Sequence, residues 1–160
     1  MSMAQKMWIY EPWLDKLDLD MPTTTDEFYN VLKAFKEEDP NGNGKEDEIP
    51  LAGSPDGWIS DIDGFLMCAF TYNDRGNRIL IEDGNLNVTF NTPEWQEGLK
   101  YMKKLYDEGL MAPESFTQDA DQFKQMGENP DTVILGAGTA GHNGVFTQFY
   151  GASGRWLEYK

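Results

Sequence analysis

Apolar residues recur at helical spacing in several stretches of the chain, and the clearest begins at Thr24. Thr24 followed by Glu27 forms a capping box, and Phe28, Val31, Leu32 and Phe35 then repeat on one face, predicting an amphipathic helix that runs to about residue 38. A shorter helix is predicted over 11–17 from Trp13, Leu14 and Leu17. Thr92 caps a third, with Pro93 at its first position, an apolar stripe of Trp95, Leu99, Met102 and Tyr106, and Gly109 closing it. A mostly buried helix is expected over 59–70 after the Pro55-Asp56-Gly57 turn, a short one over 120–126, and an aromatic one over 145–150.

Strand patterns are fewer. Pro50 disfavours helix at Ile49, so Ile49-Pro50-Leu51-Ala52-Gly53 reads as extended. Asp83-Gly84 between Arg78-Ile79-Leu80-Ile81-Glu82 and Asn85-Leu86-Asn87-Val88-Thr89-Phe90 is a hairpin signal, with Leu86, Val88 and Phe90 on one face. Thr132-Val133-Ile134-Leu135-Gly136 reads as a buried strand, 136–144 as a glycine-rich loop, and 155–160 as an alternating, strand-like segment. No repeat, heptad or low-complexity tract interrupts this order. The prediction is an α/β fold, helix-dominated, in which 1–160 form one domain.

Composition narrows the function. With 39% hydrophobic and 13% aromatic residues the chain has the material for a packed core. Its net charge of −15, from 13 basic against 28 acidic residues, argues against nucleic acid and anionic membrane as partners. Cys68 is the one cysteine, in an apolar run, and reads as a buried thiol with no internal disulfide. No apolar stretch approaches the ~20 residues of a bilayer span. Met1-Ser2-Met3-Ala4-Gln5-Lys6 has no apolar core behind it, and reads as an appended start before a chain already in progress, as expected of an excised domain.

The segment 39–50 carries the sharpest chemistry. Asp39, Asn41 and Asn43 occupy positions one, three and five of a calcium-hand pattern, Gly44 the sixth, and Asp47 and Glu48 the ninth and tenth. Alternating oxygen donors around a glycine turn suit a hard cation, with Ca²⁺ preferred because every candidate ligand is oxygen. The candidate ligands are the side chains of Asp39, Asn41, Asn43, Asp47 and Glu48 and the main-chain carbonyl of Lys45. Pro50 stands where the usual twelfth-position glutamate would be, so Glu48 is expected to supply that carboxylate. An Asp/Asn/Gly-rich surface turn is the plain alternative.

Trp13-Leu14-Asp15-Lys16-Leu17, Pro22-Thr23-Thr24-Thr25-Asp26-Glu27-Phe28, the 39–50 loop, Asn91-Thr92-Pro93-Glu94-Trp95 through Glu108-Gly109-Leu110, and Pro113-Glu114-Ser115-Phe116-Thr117 together resemble the extracellular solute-binding proteins of sugar ABC transporters. The likeness covers most of the chain from Trp8 and is to the Gram-positive lipoprotein type, similar to the alginate-oligosaccharide binders. It implies a periplasmic-binding-protein-like fold (type II) of two α/β lobes around a ligand cleft, with this chain, lacking the lipoprotein signal, corresponding mainly to the C-terminal lobe. It also implies a structural Ca²⁺ held by Asp39, Asn41, Asn43, Lys45, Asp47 and Glu48; from the position of the loop, such an ion is expected to pin the end of the 26–38 helix to the strand that follows. The expected partners are an oligosaccharide or sugar and ABC permease subunits, at a cell surface (or periplasm), with the membrane met only through a lipid anchor absent from this chain.

Sugars offer C–H faces to rings and hydroxyls to polar groups, so Trp58, Tyr72 and Trp8, and His142 and Asn143 in the glycine-rich loop, are candidate ligand contacts. One histidine makes a zinc site improbable. Two other classes compete. A glycosidase would need carboxyls about 5–10 Å apart, and Asp61 and Asp63, two apart on a predicted helix, point to different faces. A dockerin-like calcium-dependent interaction module carries repeated loops, and one loop occurs here. Non-catalytic carbohydrate binding is the expected function.

Overall fold

The computed structural model describes residues 5–160, so the reading of the first residues as an appended start falls mostly on Met1–Ala4, outside the described part. Its elements are β1 (Lys6–Ile9), α1 (Glu11–Lys16), α2 (Thr25–Glu37), β2 (Ile49–Ala52), α3 (Ile62–Leu66), β3 (Ile79–Glu82), β4 (Asn85–Val88), α4 (Pro93–Asp107), α5 (Ala120–Gly127) and β5 (Leu135–Ala140). The mixed α/β architecture, helix-rich with few strands, is the one expected.

Three strands form the central sheet in the order β1-β5-β2, with β1 antiparallel and β2 parallel to β5. The tail runs beside β1: Ile9 and Lys160 exchange both backbone hydrogen bonds, at 2.8 and 3.0 Å, and Glu11 N donates to Glu158 O. The segment read as strand-like is therefore a 3₁₀ turn over Arg155–Leu157 followed by this short pairing.

The middle strand is where the sequence misled most. Residues 136–140 lie inside β5, every residue of which is buried, and not in a loop. Glycine is a poor strand former unless another group must come close, and here aromatic rings do. A Cβ on Gly136 would meet the Phe35 ring and Trp13 Cζ3, the latter at 2.9 Å; one on Gly138 would meet the rings of Phe146 and Phe123 at 3.1–3.2 Å. Around this strand runs a chain of ring contacts, Phe35–Trp13–Tyr10–Tyr159–Phe146–Phe123, with centroids 5.0–5.8 Å apart. Tyr159 Oη, wholly buried, donates to Leu135 O at 2.7 Å, and burial raises its pKa.

α2 forms as predicted. Thr24 Oγ1 accepts from Glu27 N, the Glu27 carboxylate accepts from Thr24 N, and Phe28, Val31, Leu32 and Phe35 are buried toward β2 and β5. α4 starts at Thr92 and Pro93 and ends in a Schellman motif, Leu110 N bonding Leu105 O and Gly109 N bonding Tyr106 O. Its buried face is Trp95, Gly98, Met102 and Leu105, while Leu99 and Tyr106 face outward. Gly98 decides this rotation, since a Cβ there would strike the Met67 sulfur at 2.6 Å.

The predicted 59–70 helix is shorter. Ile59 is left-handed (φ 53°), α3 begins at Ile62, and the last turn tightens to 3₁₀ over Met67–Ala69. The predicted helix over 145–150 is a 3₁₀ turn at Asn143–Val145 followed by irregular backbone. The Asp83-Gly84 turn has both residues left-handed, at φ 50° and 77°, as a two-residue hairpin needs. Ile81, Leu86 and Phe90 nevertheless stay exposed, so the hairpin's apolar side is not part of the core.

Candidate functional site

α2 ends at Glu37, and Asp39 turns the chain with φ 45° into the loop that leads to β2. The Asp39 carboxylate organises it: Oδ1 accepts from Gly42 N and Asn43 N at 2.9 and 3.1 Å, and Oδ2 from Gly44 N at 3.0 Å. Asn41 and Asn43 each close an Asx turn, onto Asn43 N and Lys45 N. Gly42 and Gly44 sit at φ 74° and 73°, where a side chain would be strained. Across the loop, Asn41 Nδ2 and Asn43 Nδ2 donate to the Asp47 carboxylate at 2.9–3.1 Å. Lys16 of α1 ties the outside down by donating to Pro40 O at 2.8 Å.

Glu48 is the telling residue. Its Oε1 is buried with no hydrogen-bond partner. Burial, foremost, and then the Asp39 and Asp47 carboxylates raise its pKa, against backbone amides of Glu48 and Asn41 that lower it. A buried carboxylate oxygen without a partner, in a loop whose other donors are all oxygen, suits a hard cation, although Asp39, Asp47 and Glu48 are not drawn together as a ready three-carboxylate group. The residues present therefore fit a cation bound by Asp39, Asn41, Asn43, Asp47, Glu48 and the Lys45 carbonyl. Among the described residues no group of three or more His, Cys, Asp or Glu side chains is arranged for a metal. Half of this set is asparagine amide and main-chain oxygen.

A second surface lies where β2 and β5 end. In open α/β sheets ligands sit outside the carboxyl ends of parallel strands, and the loops leaving these two carry Trp58 and His142. Gly141 N donates to Trp58 O at 3.2 Å, and the indole lies so close over Gly141 that a Cβ there would meet it at 2.7 Å. His142 packs on Phe149 with centroids 4.6 Å apart and accepts from Gly144 N through Nδ1. Phe149 in turn touches Tyr150 and Trp156 at 4.4 and 4.5 Å. Phe149, Tyr150 and Trp156 were not singled out from the sequence as contacts; the density of aromatics between Gly144 and Tyr159 was the available signal.

The remaining candidates stand apart. Asn143 is buried, and its amide donates to Trp156 O at 2.6 Å, which spends it on the fold. Trp8 lies in β1 with Nε1 bonded to Ala140 O, and the ring contacts of the cluster do not include Tyr72. Asp61 and Asp63 are each paired with an arginine, Arg75 and Arg78. A groove of about 580 Å³ opens elsewhere, lined by Met7, Met21, Phe28, Phe65, Leu66 and Tyr101 among others; its walls are mainly apolar, with few of the convergent polar groups that hold hydroxyls.

No protein-family model matches the chain. It is 36% identical over 129 residues to the fructooligosaccharide ABC transporter substrate-binding protein FusA of Streptococcus pneumoniae, covering 80% of this chain and 24% of FusA. It is 40% identical over 135 residues to lipoprotein LipO of Bacillus subtilis, covering 81% and 24%. The chain thus spans about a quarter of the length of the curated relatives it matches. Among solved structures, S. pneumoniae FusA with kestose superposes with a TM-score of 0.83 at 32% identity, covering 99% of this chain and 30% of FusA. A FusA EF-hand mutant with fructo-nystose gives 0.82 at 30%, with the same coverage. Alginate-binding protein AlgQ2 without calcium ion gives 0.63 at 29%, covering 85% and 26%. The homologues and structural neighbours of this chain are solute-binding proteins of sugar ABC transporters, which it matches over part of their length.

Proposed function

We propose that this chain is part of an extracellular oligosaccharide receptor of an ABC transporter, binding sugar without chemical turnover. The observation that carries the proposal is the exposed aromatic surface at the carboxyl ends of β2 and β5, joined to relatives whose names specify fructooligosaccharide and alginate binding. The chain corresponds to a portion of one lobe, mainly the C-terminal one, and 1–160 fold as one domain. Its partners are an oligosaccharide and the permease subunits of the transporter, and its place is the cell surface, reached through a lipid anchor.

The glycosidase alternative built on Asp61 and Asp63 is weakened by their partners. Glycoside hydrolysis uses two available carboxyls, and the Asp61 and Asp63 side chains are occupied by Arg75 and Arg78. The 39–50 loop holds a structural Ca²⁺ through Asp39, Asn41, Asn43, Asp47, Glu48 and the Lys45 carbonyl. When bound, the ion neutralises clustered carboxylates and clasps the end of α2 to the start of β2; it takes no part in ligand chemistry.

Calorimetric and ligand-observed titration with neutral oligosaccharides tests the receptor reading. Weak, millimolar binding is expected, since a fraction of a two-lobed protein holds a fraction of the cleft. Release of reducing sugar from any oligosaccharide would refute it.

A further inference from the structure

We propose that Asn41 and Asn43 are sites of self-modification, by succinimide-forming deamidation, and that the Asp39 carboxylate keeps both silent while the chain is folded. The inference stands apart from the sugar reading and from any bound ion.

Asn-Gly is the dipeptide most open to this reaction, because glycine puts no side chain in the way of its own amide nitrogen. That nitrogen attacks the asparagine Cγ and gives up its proton as the new N–C bond forms. The Cγ–Nδ2 bond breaks, and ammonia leaves carrying the proton. Water then opens the ring at one carbonyl or the other, giving aspartate or isoaspartate. The chain has three such pairs, at 41–42, 43–44 and 143–144.

The reaction needs a free glycine N–H and an asparagine amide able to turn onto it. The 39–50 loop denies both. Gly42 N donates to Asp39 Oδ1 at 2.9 Å and Gly44 N to Oδ2 at 3.0 Å, so one carboxylate occupies both nucleophiles. The two asparagines are fixed at each end of their amides. Asn41 Oδ1 accepts from Asn43 N while its Nδ2 donates to Asp47 Oδ1 at 2.9 Å. Asn43 Oδ1 accepts from Lys45 N while its Nδ2 donates to both Asp47 oxygens, at 3.1 and 3.0 Å. The group that would have to leave is thus tied down as firmly as the group that would attack.

The third pair shows the difference in means. Gly144 N donates to His142 Nδ1, Asn143 Nδ2 donates to Trp156 O, and Asn143 is buried. At 41–44 burial gives no such cover in this chain, and the hydrogen bonds alone do the shielding. Modification there does not reverse. Aspartate at 41 or 43 replaces a donor to Asp47 with a like charge, and isoaspartate adds a methylene to the main chain and shifts every later donor out of register. A loop that opens for long enough to react therefore does not close again in the same form.

The test incubates the chain with EDTA, folded and in urea, beside folded Asp39→Ala and Thr92→Ala variants. Each Asn-Gly pair is followed by peptide mapping with mass spectrometry that separates isoaspartate. Thr92→Ala removes the cap that accepts from Trp95 N in α4, lowering global stability away from the loop. Asn41 and Asn43 are expected to react about tenfold more slowly in the folded parent than in urea, and to regain most of that factor in Asp39→Ala. Asn143 in Asp39→Ala, and all three pairs in Thr92→Ala, are expected to react as in the folded parent. Equal rates at 41 and 43 in the folded and unfolded parent would overturn the protection. No gain in Asp39→Ala, or a gain matched at Asn143 or in Thr92→Ala, would overturn the role of Asp39.

Discussion

Gly136→Ala is expected to lower the stability of the chain by about 3 kcal/mol, the upper end of what one added methyl costs in a filled core. The methyl would land in the Phe35 ring and against Trp13, whose own edge contact with Phe35 at 5.1 Å leaves neither ring room to turn. Both neighbours are buried, Phe35 completely, so the clash cannot be relieved toward solvent. In a chain of this size the loss corresponds to a fall in melting temperature of roughly 6–12 °C. Phe35→Leu on the same background supplies the decisive control. If the cost is overpacking, the double variant recovers ~1 kcal/mol or more relative to the sum of the singles. Strict additivity would show that the backbone, and not the ring, resists the methyl.

Asp39→Ala is expected to abolish any stabilisation by Ca²⁺. In the parent chain, Ca²⁺ at a hundredfold excess over its Kd adds about 2.7 kcal/mol if it binds only the folded state, a rise of some 5–10 °C that EDTA reverses. In the variant the melting curves with Ca²⁺ and with EDTA should coincide. They should also lie below the EDTA curve of the parent, because the amides of Gly42, Asn43 and Gly44 lose their acceptor whether or not an ion is present. A parent melting temperature indifferent to EDTA would refute the structural-ion reading. A variant that retains the full Ca²⁺ shift would place the ion elsewhere.

What could be read in advance was local. The capping box at Thr24 and Glu27, Pro93 opening α4, Gly109 closing it and the Asp83-Gly84 turn each need only neighbours within a few residues, and each is present. The turns of the 39–50 loop were legible for the same reason, since they follow from the side chains of Asp39, Asn41 and Asn43 within a few positions. What was hidden depends on distant packing. β5 looked like a loop because its glycines take their meaning from Phe35, Trp13, Phe123 and Phe146, none of them nearby in sequence except the last. The face of α4 was misjudged because Gly98 counts as nothing in a hydrophobic pattern and yet admits Met67. β1, and the meeting of Trp58 with Gly141, likewise arise only when distant segments are drawn together by the sheet.

The β3–β4 hairpin gives the molecule a second, smaller stability of its own. Two strands alone are marginal in water, and these pair with no other strand among the described residues. Arg78 closes their base, its carbonyl accepting from Thr89 N and Oγ1, and moors them to the body through a guanidinium that reaches Asp63 at 3.3 Å and lies 5.0 Å from the Trp95 ring. The attachment is largely ionic and half-exposed, so added salt weakens it while leaving the aromatic core around β5 untouched. Ionic strength thus acts in opposite senses on the two parts, loosening the protrusion through the Arg78–Asp63 pair while easing the self-repulsion of a body that carries most of a −15 charge.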